Sequence, residues 1–437
     1  MVKEQWQGEL LGWLVEETGS LYDALLGGEG DFAQQEQVVR EWVVAVGARA
    51  LERFYAVEGR RGHVGAGQPC QCGPSGRLQF KDYRRRRVVS LVGELSLLRA
   101  YYHCRQCGRG WVPLDEQLGL EGHGFSPGVQ RLTAQLGGDL VFARVEKFLR
   151  EVGVVVSTKE AERRSEEAGR RFEACQQERM AQVLADPWPT AASSRAPQRL
   201  YIQVDGTMVA TLKEWREVKL AALFATPGLP GEAGRRRGRV SYCGAIEPAE
   251  AFGRRLFWAA VKQGALQAQE VVFMGDGAPW LWNLAAEHFP ERVEVLDWYH
   301  ASQHLWEVGK LLYGEGTAGC RRWVEARLAE LQEGDVEAVL AALGRVRPRS
   351  PEEQEKVDKE KAYLESNRER MRYREFRRRG YFVGSGVVES GCKHVVGQRL
   401  KQAGMRWRPE NATAVLQLHL ANLNGNFHEL WAQTRAA

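Results

Sequence analysis

The chain has 437 residues, beyond the ~250–300 at which a single hydrophobic core stops growing, so two or more domains are expected. Its 44% hydrophobic and 27% charged residues exclude a largely disordered, collagen-like or fibrous protein. Sixty-one Lys+Arg against 56 Asp+Glu leave a net charge of +5, too little on its own to announce a polyanionic partner, yet the arginines are bunched. They gather at Arg84–Arg87, at Arg235–Arg237 with Arg239, and over residues 368–379, where seven occur in twelve positions.

In chain order, the N-terminal segment carries Glu4 and Glu9 and lacks a basic stretch followed by an apolar one, so no signal peptide is expected. Residues 36–57 place Val38, Val39, Trp42, Val43, Val46, Leu51 and Phe54 at helical spacing. Glycines and prolines over 59–76 end that helix, and β-formers over 88–102 predict two short strands around Gly93. Ser126-Pro127 reads as an N-cap with proline at the first helical position. It opens helices at 127–137, 141–152 and from 157 to about 177, a helix-turn-helix pattern with its turn at Gly153. A Pro/Ala/Ser-rich stretch from 186 reads as a linker.

Beyond it, strands predicted at 201–205, 217–224, 240–246, 271–275 and 293–296 alternate with helices at 249–263, 279–288 and 299–313, the mark of an α/β domain. Residues 317–379 are charged and helical without a strand, and 387–431 are again helical. The longest wholly apolar run near the middle, 220–225, falls far short of the ~20 residues that span a bilayer, so a cytoplasmic protein with no membrane partner is expected.

Two constellations point to chemistry. Cys70-x-Cys72 and Cys104-x-x-Cys107 offer four thiolates from two turns, which suits a tetrahedral structural Zn²⁺ of ribbon type. The first knuckle is shorter than Cys-x-x-Cys, leaving either Cys70 or neighbouring His63 to complete the shell. Cys175, Cys243, Cys320 and Cys392 read as small buried hydrophobes, Cys392 packing beside Glu389.

The second constellation is acidic. Asp205 and Asp276 close predicted strands and are each followed by glycine, and in open α/β sheets ligands bind beyond the carboxyl ends of strands. Glu389 falls in the first turn of a helical run after Gly384-Ser385-Gly386. Two aspartates and a glutamate are hard oxygen ligands of the kind Mg²⁺ or Mn²⁺ takes, and two such ions support in-line phosphoryl displacement. Taken singly, Asp-Gly pairs read as turns and Glu389 as an acid favoured by a helix N-terminus. His300 and His304 lack the intervening glutamate of a zinc-protease motif.

The segments Val204–Thr207, Glu214–Lys219, Gly275–Trp280, Asp297-Trp298-Tyr299-His300, Gly384–Lys393 and Arg399–Met405 resemble bacterial insertion-sequence transposases of the ISKra-type family, relatives of Mutator-type transposases. That resemblance implies an α/β fold: an RNase H-like catalytic core with a helical insertion, preceded by a zinc-ribbon-like module and a helix-turn-helix DNA-binding region. It implies Asp205, Asp276 and Glu389 as the catalytic, metal-binding DDE triad with two Mg²⁺ or Mn²⁺ ions, and Asp297 and His300 in support. The expected division is an N-terminal helical region (1–60), zinc-ribbon-like module (61–122), helix-turn-helix region (123–185), linker (186–198), first core segment (199–313), insertion (314–380) and second core segment (381–437).

Double-stranded DNA, as element ends and target, is the expected partner of a homo-oligomer associated with the nucleoid. Lys159, Arg163 and Arg164 on the third helix, and Lys393, Arg399 and Lys401 after Glu389, are the expected DNA contacts. Two other readings share these features: a host-adopted zinc-containing DNA-binding protein without catalysis, and a metal-dependent nuclease of the same fold.

Overall fold

The computed structural model describes residues 2–27, 31–57, 59–120, 122–186, 197–226 and 238–436, so most of the expected linker and Arg235–Arg237 lie outside the described residues. The chain forms two compact units, Met1–Arg164 and Ser165–Ala437.

The first unit opens with α1 (Val2–Gly27) and α2 (Phe32–Ala56), joined across their far ends by Arg53 and Glu9 at 2.7 Å. Asp31 caps α2 by accepting from the Gln34 amide. A four-stranded antiparallel sheet follows in chain order: β1 (Gly67–Pro69), β2 (Arg77–Ser90), β3 (Gly93–Cys104) and β4 (Gly110–Trp111). The two short strands expected around Gly93 are thus a long ribbon. Its turn is made by Leu91 and Val92, with Gly93 at φ 94°, where a side chain would be strained.

After α3 (Pro113–Leu118), the helices α4 (Pro127–Asp139), α5 (Phe142–Glu151) and α6 (Thr158–Ala185) follow. Ser126 caps α4 with Pro127 in its first turn. Val129, Val145, Leu149, Val154, Val156 and Ala161 form the small core these helices share.

In the second unit β5 (Arg199–Ala210), β6 (Trp215–Thr226) and β7 (Ser241–Ala245) form an antiparallel meander. After α7 (Ala249–Lys262), β8 (Glu270–Gly275) pairs parallel to β5, and after α8 (Pro279–His288), β9 (Val293–Leu296) pairs parallel to β8. The order is β7-β6-β5-β8-β9. Residues 200–204 and 218–224 are buried throughout, which explains why apolar residues fill both faces of these strands, Gln203 and Lys219 apart: the sheet is covered on both sides.

Helix α9 (Trp298–Tyr313) leads into α10 (Ala318–Gln332), α11 (Val336–Arg345), α12 (Pro351–Ser366) and α13 (Tyr373–Arg378). Val324, Leu331, Val339, Leu364 and Phe376 of this helical stretch belong to the same core as Ile202, Phe273 and Val295 of the sheet, so it is not a separately cored appendage. The Glu389 helix begins as α14 (Gly386–Gly391), runs π-helical over Cys392–Gly397 and closes as α15 (Gln398–Leu400). Helices α16 (Pro409–Asn424) and α17 (Phe427–Ala436) end the chain.

Candidate active site

β5 does not stop at Asp205. Its hairpin partner β6 keeps pairing through Ala210↔Trp215, whereas its parallel partner β8 contacts it only as far as Gln203↔Met274. Asp205 therefore stands where one flank of β5 loses its neighbour, half-buried, and Asp276 follows the last residue of β8. Gly206 is a strand glycine rather than a turn glycine: a Cβ there would meet the Glu217 carboxylate at 2.2 Å. Gly277 makes the true turn, at φ 90°.

Each aspartate is held by its own backbone. The Gly206 amide donates to Asp205 Oδ1 at 2.7 Å, and the Ala278 amide to Asp276 Oδ1 at 2.9 Å. Burial pushes the Asp205 carboxyl above its ordinary value and the Asp276 charge adds to this, while the Gly206 amide, the Cys392 thiol and His300 pull it back. Asp205, Asp276, His300 and Cys392 thus share one electrostatic neighbourhood. The backbone oxygen of Asp276 also accepts from Tyr363 of α12 at 2.5 Å.

Asp297, only 1% exposed, caps α9 and joins it to the loop before Glu389. Its Oδ2 accepts from the His300 amide at 3.1 Å and pairs with His300 Nδ1 at 2.8 Å, and its Oδ1 accepts from the Ser385 amide at 2.7 Å. Buried Gln203 ties the same loop to β5, donating to the Gly384 carbonyl at 3.3 Å and accepting from the Val388 amide at 3.2 Å. Two residues before Asp205, Gln203 therefore links the strand of Asp205 to the helix of Glu389. Glu389 itself is half-exposed and bound by Lys393 one turn on, at 2.7 Å.

Removing Asp297 strands three donors at a buried point. Asp297→Ala is expected to lower unfolding free energy by about 3 kcal/mol, read by urea denaturation. The imidazole of His300 is held protonated above its ordinary 6.5, chiefly by the Asp297 hydrogen bond, with Asp276 and Asp205 adding to it. A raised histidine contributes stability that is fully present below 6.5 and lost as pH rises through the folded value. In magnesium-free buffer the stability gap between wild type and His300→Gln should therefore shrink as pH rises above 6.5; a gap that widens would refute the charged pair.

The expected DNA contacts divide. Lys393 is exposed beside Glu389, and Lys401 is exposed and donates to Thr207 Oγ1. Arg399 is fully buried, its guanidinium 5.4 Å from the Trp407 ring, so it does not face a phosphate. The π-helical turn takes an extra residue, which breaks the helical spacing that put Arg399 in line with Lys393 and Lys401. Lys159 is exposed and Arg163 is bound to Glu160 at 2.8 Å, but Arg164 is buried and bound to the same glutamate, folded onto its own helix instead of outward.

In the first unit the four cysteines converge. Cys70 and Cys107 sulfurs lie 3.7 Å apart, and Cys72 and Cys104 sulfurs 3.8 Å. Four Zn–S bonds of ~2.3 Å in a tetrahedron would place sulfurs roughly 3.8 Å apart. Among the described residues this quartet is the one metal-ligand group whose atoms all lie within 4.8 Å of one another, so it can hold a metal such as zinc, with Cys70 in the fourth place; His63 packs edge-on against Phe80 instead. The acidic triad is not drawn so tightly together. The Cys107 and Gln106 backbone amides lower the Cys104 thiol to about 6, and Cys70 first of all pushes Cys72 up to about 12. Gly76 leaves room for this knuckle, since a Cβ there would lie 2.5 Å from the Cys72 sulfur. Among the described residues no helix is long and apolar enough to cross a membrane.

Residues that sequence reading passed over are Gln203, Tyr363 and Glu217, together with the Cys392–Asp205 hydrogen bond. Only Gln203 carried a local signal, lying on the Asp205 strand at a spacing of two.

Residues 74–433 match the uncharacterised protein family UPF0236, and the chain belongs to that family. No curated protein matches it.

Proposed function

We propose that this member of the family is a DNA transposase that cleaves the ends of its own mobile element and joins them to target DNA. The observation that carries the reading is that Asp205, where β5 loses its parallel neighbour, and Asp276, just past the end of β8, share one electrostatic neighbourhood, with the Glu389 helix tied to β5 through Gln203. The sheet order, three antiparallel strands followed by two parallel ones, supports an RNase H-like core, and the helices α10 to α13 are consistent with an insertion over 314–380. The ISKra-type resemblance bears on these same positions.

A pair of carboxylates, one of them opposed by burial and by its neighbour, is the electrostatic complement of a divalent cation. Asp205, Asp276 and Glu389 offer hard oxygen donors that would hold Mg²⁺ or Mn²⁺. Such ions would supply activation of an attacking oxygen and stabilisation of a leaving one in phosphodiester displacement. The protein's own part is positional: Gly206 and Ala278 amides fix one oxygen of each aspartate, Tyr363 fixes the Asp276 backbone, and Asp297 orients His300. Glu389 is engaged by Lys393 at 2.7 Å, and on this reading metal binding by the glutamate would free the lysine for a DNA phosphate.

The test is Mg²⁺-dependent cleavage and strand joining of labelled element-end DNA by the full chain. Cleavage followed by joining is expected. Cleavage without joining would replace this reading with a nuclease, and binding without either with an adopted DNA-binding protein.

A further inference from the structure

The basic charge of the first unit is not on its helices. The sheet and its turns, residues 67–111, carry nine Lys+Arg against two acids, a net +7 in a chain of +5. Residues 113–164, which hold the helix-turn-helix pattern within the first unit, carry seven Lys+Arg against eight acids, a net −1. A polyanion would meet the sheet first.

Within the sheet the cations have two fates. Arg86 and Arg99 turn inward to share Asp115, Arg86 at 2.6 Å, and are structural. Lys81, Arg84, Arg85 and Arg87 stay exposed, Arg84 resting 3.5 Å over the Tyr101 ring and paired with exposed Asp82 at 2.9 Å, and Arg87, 84% exposed, lying 3.5 Å from exposed Glu94. These cations lie along an edge with no backbone partner among the described residues from Lys81 to Val88: β1 pairs with β2 over Arg77–Gln79, the Phe80 amide donates to the Ala66 carbonyl, and the next bond on that edge is the Val89 amide donating to the Gly124 carbonyl. Arg85 and Arg87 project from the same face, roughly 6.8 Å apart. A two-stranded ribbon of this kind fits the major groove of a DNA duplex, ~12 Å wide, with flanking arginines on its phosphates.

We propose that the β2–β3 ribbon, through Arg85 and Arg87 with Lys81 and Arg84, is the main duplex-DNA contact of the first unit, ahead of the third helix of its helix-turn-helix. The inference rests on the transposase reading for the identity of its partner. A competing explanation is that edge cations only deter strand-to-strand aggregation.

The test is fluorescence anisotropy of the full chain with a labelled duplex of arbitrary sequence, titrated over a range of salt concentrations. Arg85→Gln/Arg87→Gln is expected to weaken binding about tenfold and to reduce the slope of log K against log salt by about 2, roughly 0.9 for each lost phosphate contact. Arg85→Lys/Arg87→Lys should restore most of both, and Lys356→Gln/Lys359→Gln, two exposed cations of α12, should change neither. Zinc content and circular dichroism show that each variant is folded.

Unchanged affinity and slope in Arg85→Gln/Arg87→Gln would overturn the ribbon assignment while leaving strand joining untouched, and aggregation with unchanged affinity would establish the edge-protection explanation instead. A larger loss from Lys159→Gln/Arg163→Gln would return the contact to the helix. Tighter binding to an RNA duplex of the same length would overturn the partner. A wild type that binds no duplex would overturn both this inference and the transposase reading.

Discussion

Asp205→Asn and Asp276→Asn are expected to cut strand cleavage by at least about a thousandfold, or about 4 kcal/mol of transition-state stabilisation, while the chain stays folded and still binds DNA. Asparagine is the informative replacement, because its side-chain oxygen can still accept from the Gly206 or Ala278 amide that holds the aspartate. The turn or strand therefore survives and only the charge is lost. For Asp205 the fold should gain slightly, since burial and Asp276 already work against its ionised form. A group that destabilises the fold while charged is retained for what the charge does, the pattern of a functional site. Cleavage rates and thermal midpoints measured together decide the matter. Full activity in either asparagine variant would remove that residue from the site, and lost activity together with lost folding would reduce it to a structural acid.

Glu389→Gln should also abolish cleavage, but for a different geometric reason. Its carboxylate is half-exposed and engaged by Lys393, whereas the two aspartates are held by backbone amides of their own segments. Lys393→Ala then separates two roles: if the lysine only parks Glu389, cleavage is kept, and if it holds a phosphate, the Michaelis constant for DNA rises.

Much of this architecture was legible locally. The bounds of β9 and α8 follow from apolar runs ended by Asp297 and opened by Pro279, and Ser126-Pro127 marks the start of α4 because capping and proline geometry are properties of a few adjacent residues. The cysteine spacing suggests its own cluster for the same reason.

What escaped depended on partners distant in sequence. β5 runs past Asp205 because β6 continues to pair with it, and Gly206 is needed because Glu217 sits over it, neither of which shows in Val-Asp-Gly-Thr. Tyr363 reaches the Asp276 carbonyl from 87 residues away. Arg399 looks like a surface cation until the π-helical turn rotates it into the core.

A metal such as zinc held by the cysteine quartet should carry the largest stability effect in the first unit. Cys70 and Cys104 are themselves buried members of a small core with Leu78, Ala100 and Tyr102, so the cluster replaces packing that this end of the sheet cannot supply. None of the cysteines is in a disulfide, and the sulfur pairs at 3.7 and 3.8 Å are far too wide for one. Structural zinc contributes ~10–16 kcal/mol of binding energy in isolated finger peptides. Even discounted by the adjoining helices, Cys104→Ser should cost the first unit about 5 kcal/mol or more. The expected result is one zinc per wild-type chain, none in Cys104→Ser, and rapid amide exchange through β1, β4 and the neighbouring end of β3 in the variant. The second unit should keep its protection, and Cys392→Ser, whose sulfur sits by Asp205, should keep its zinc. A wild type that purifies without zinc and exchanges no faster as Cys104→Ser would reduce the quartet to four packed thiols.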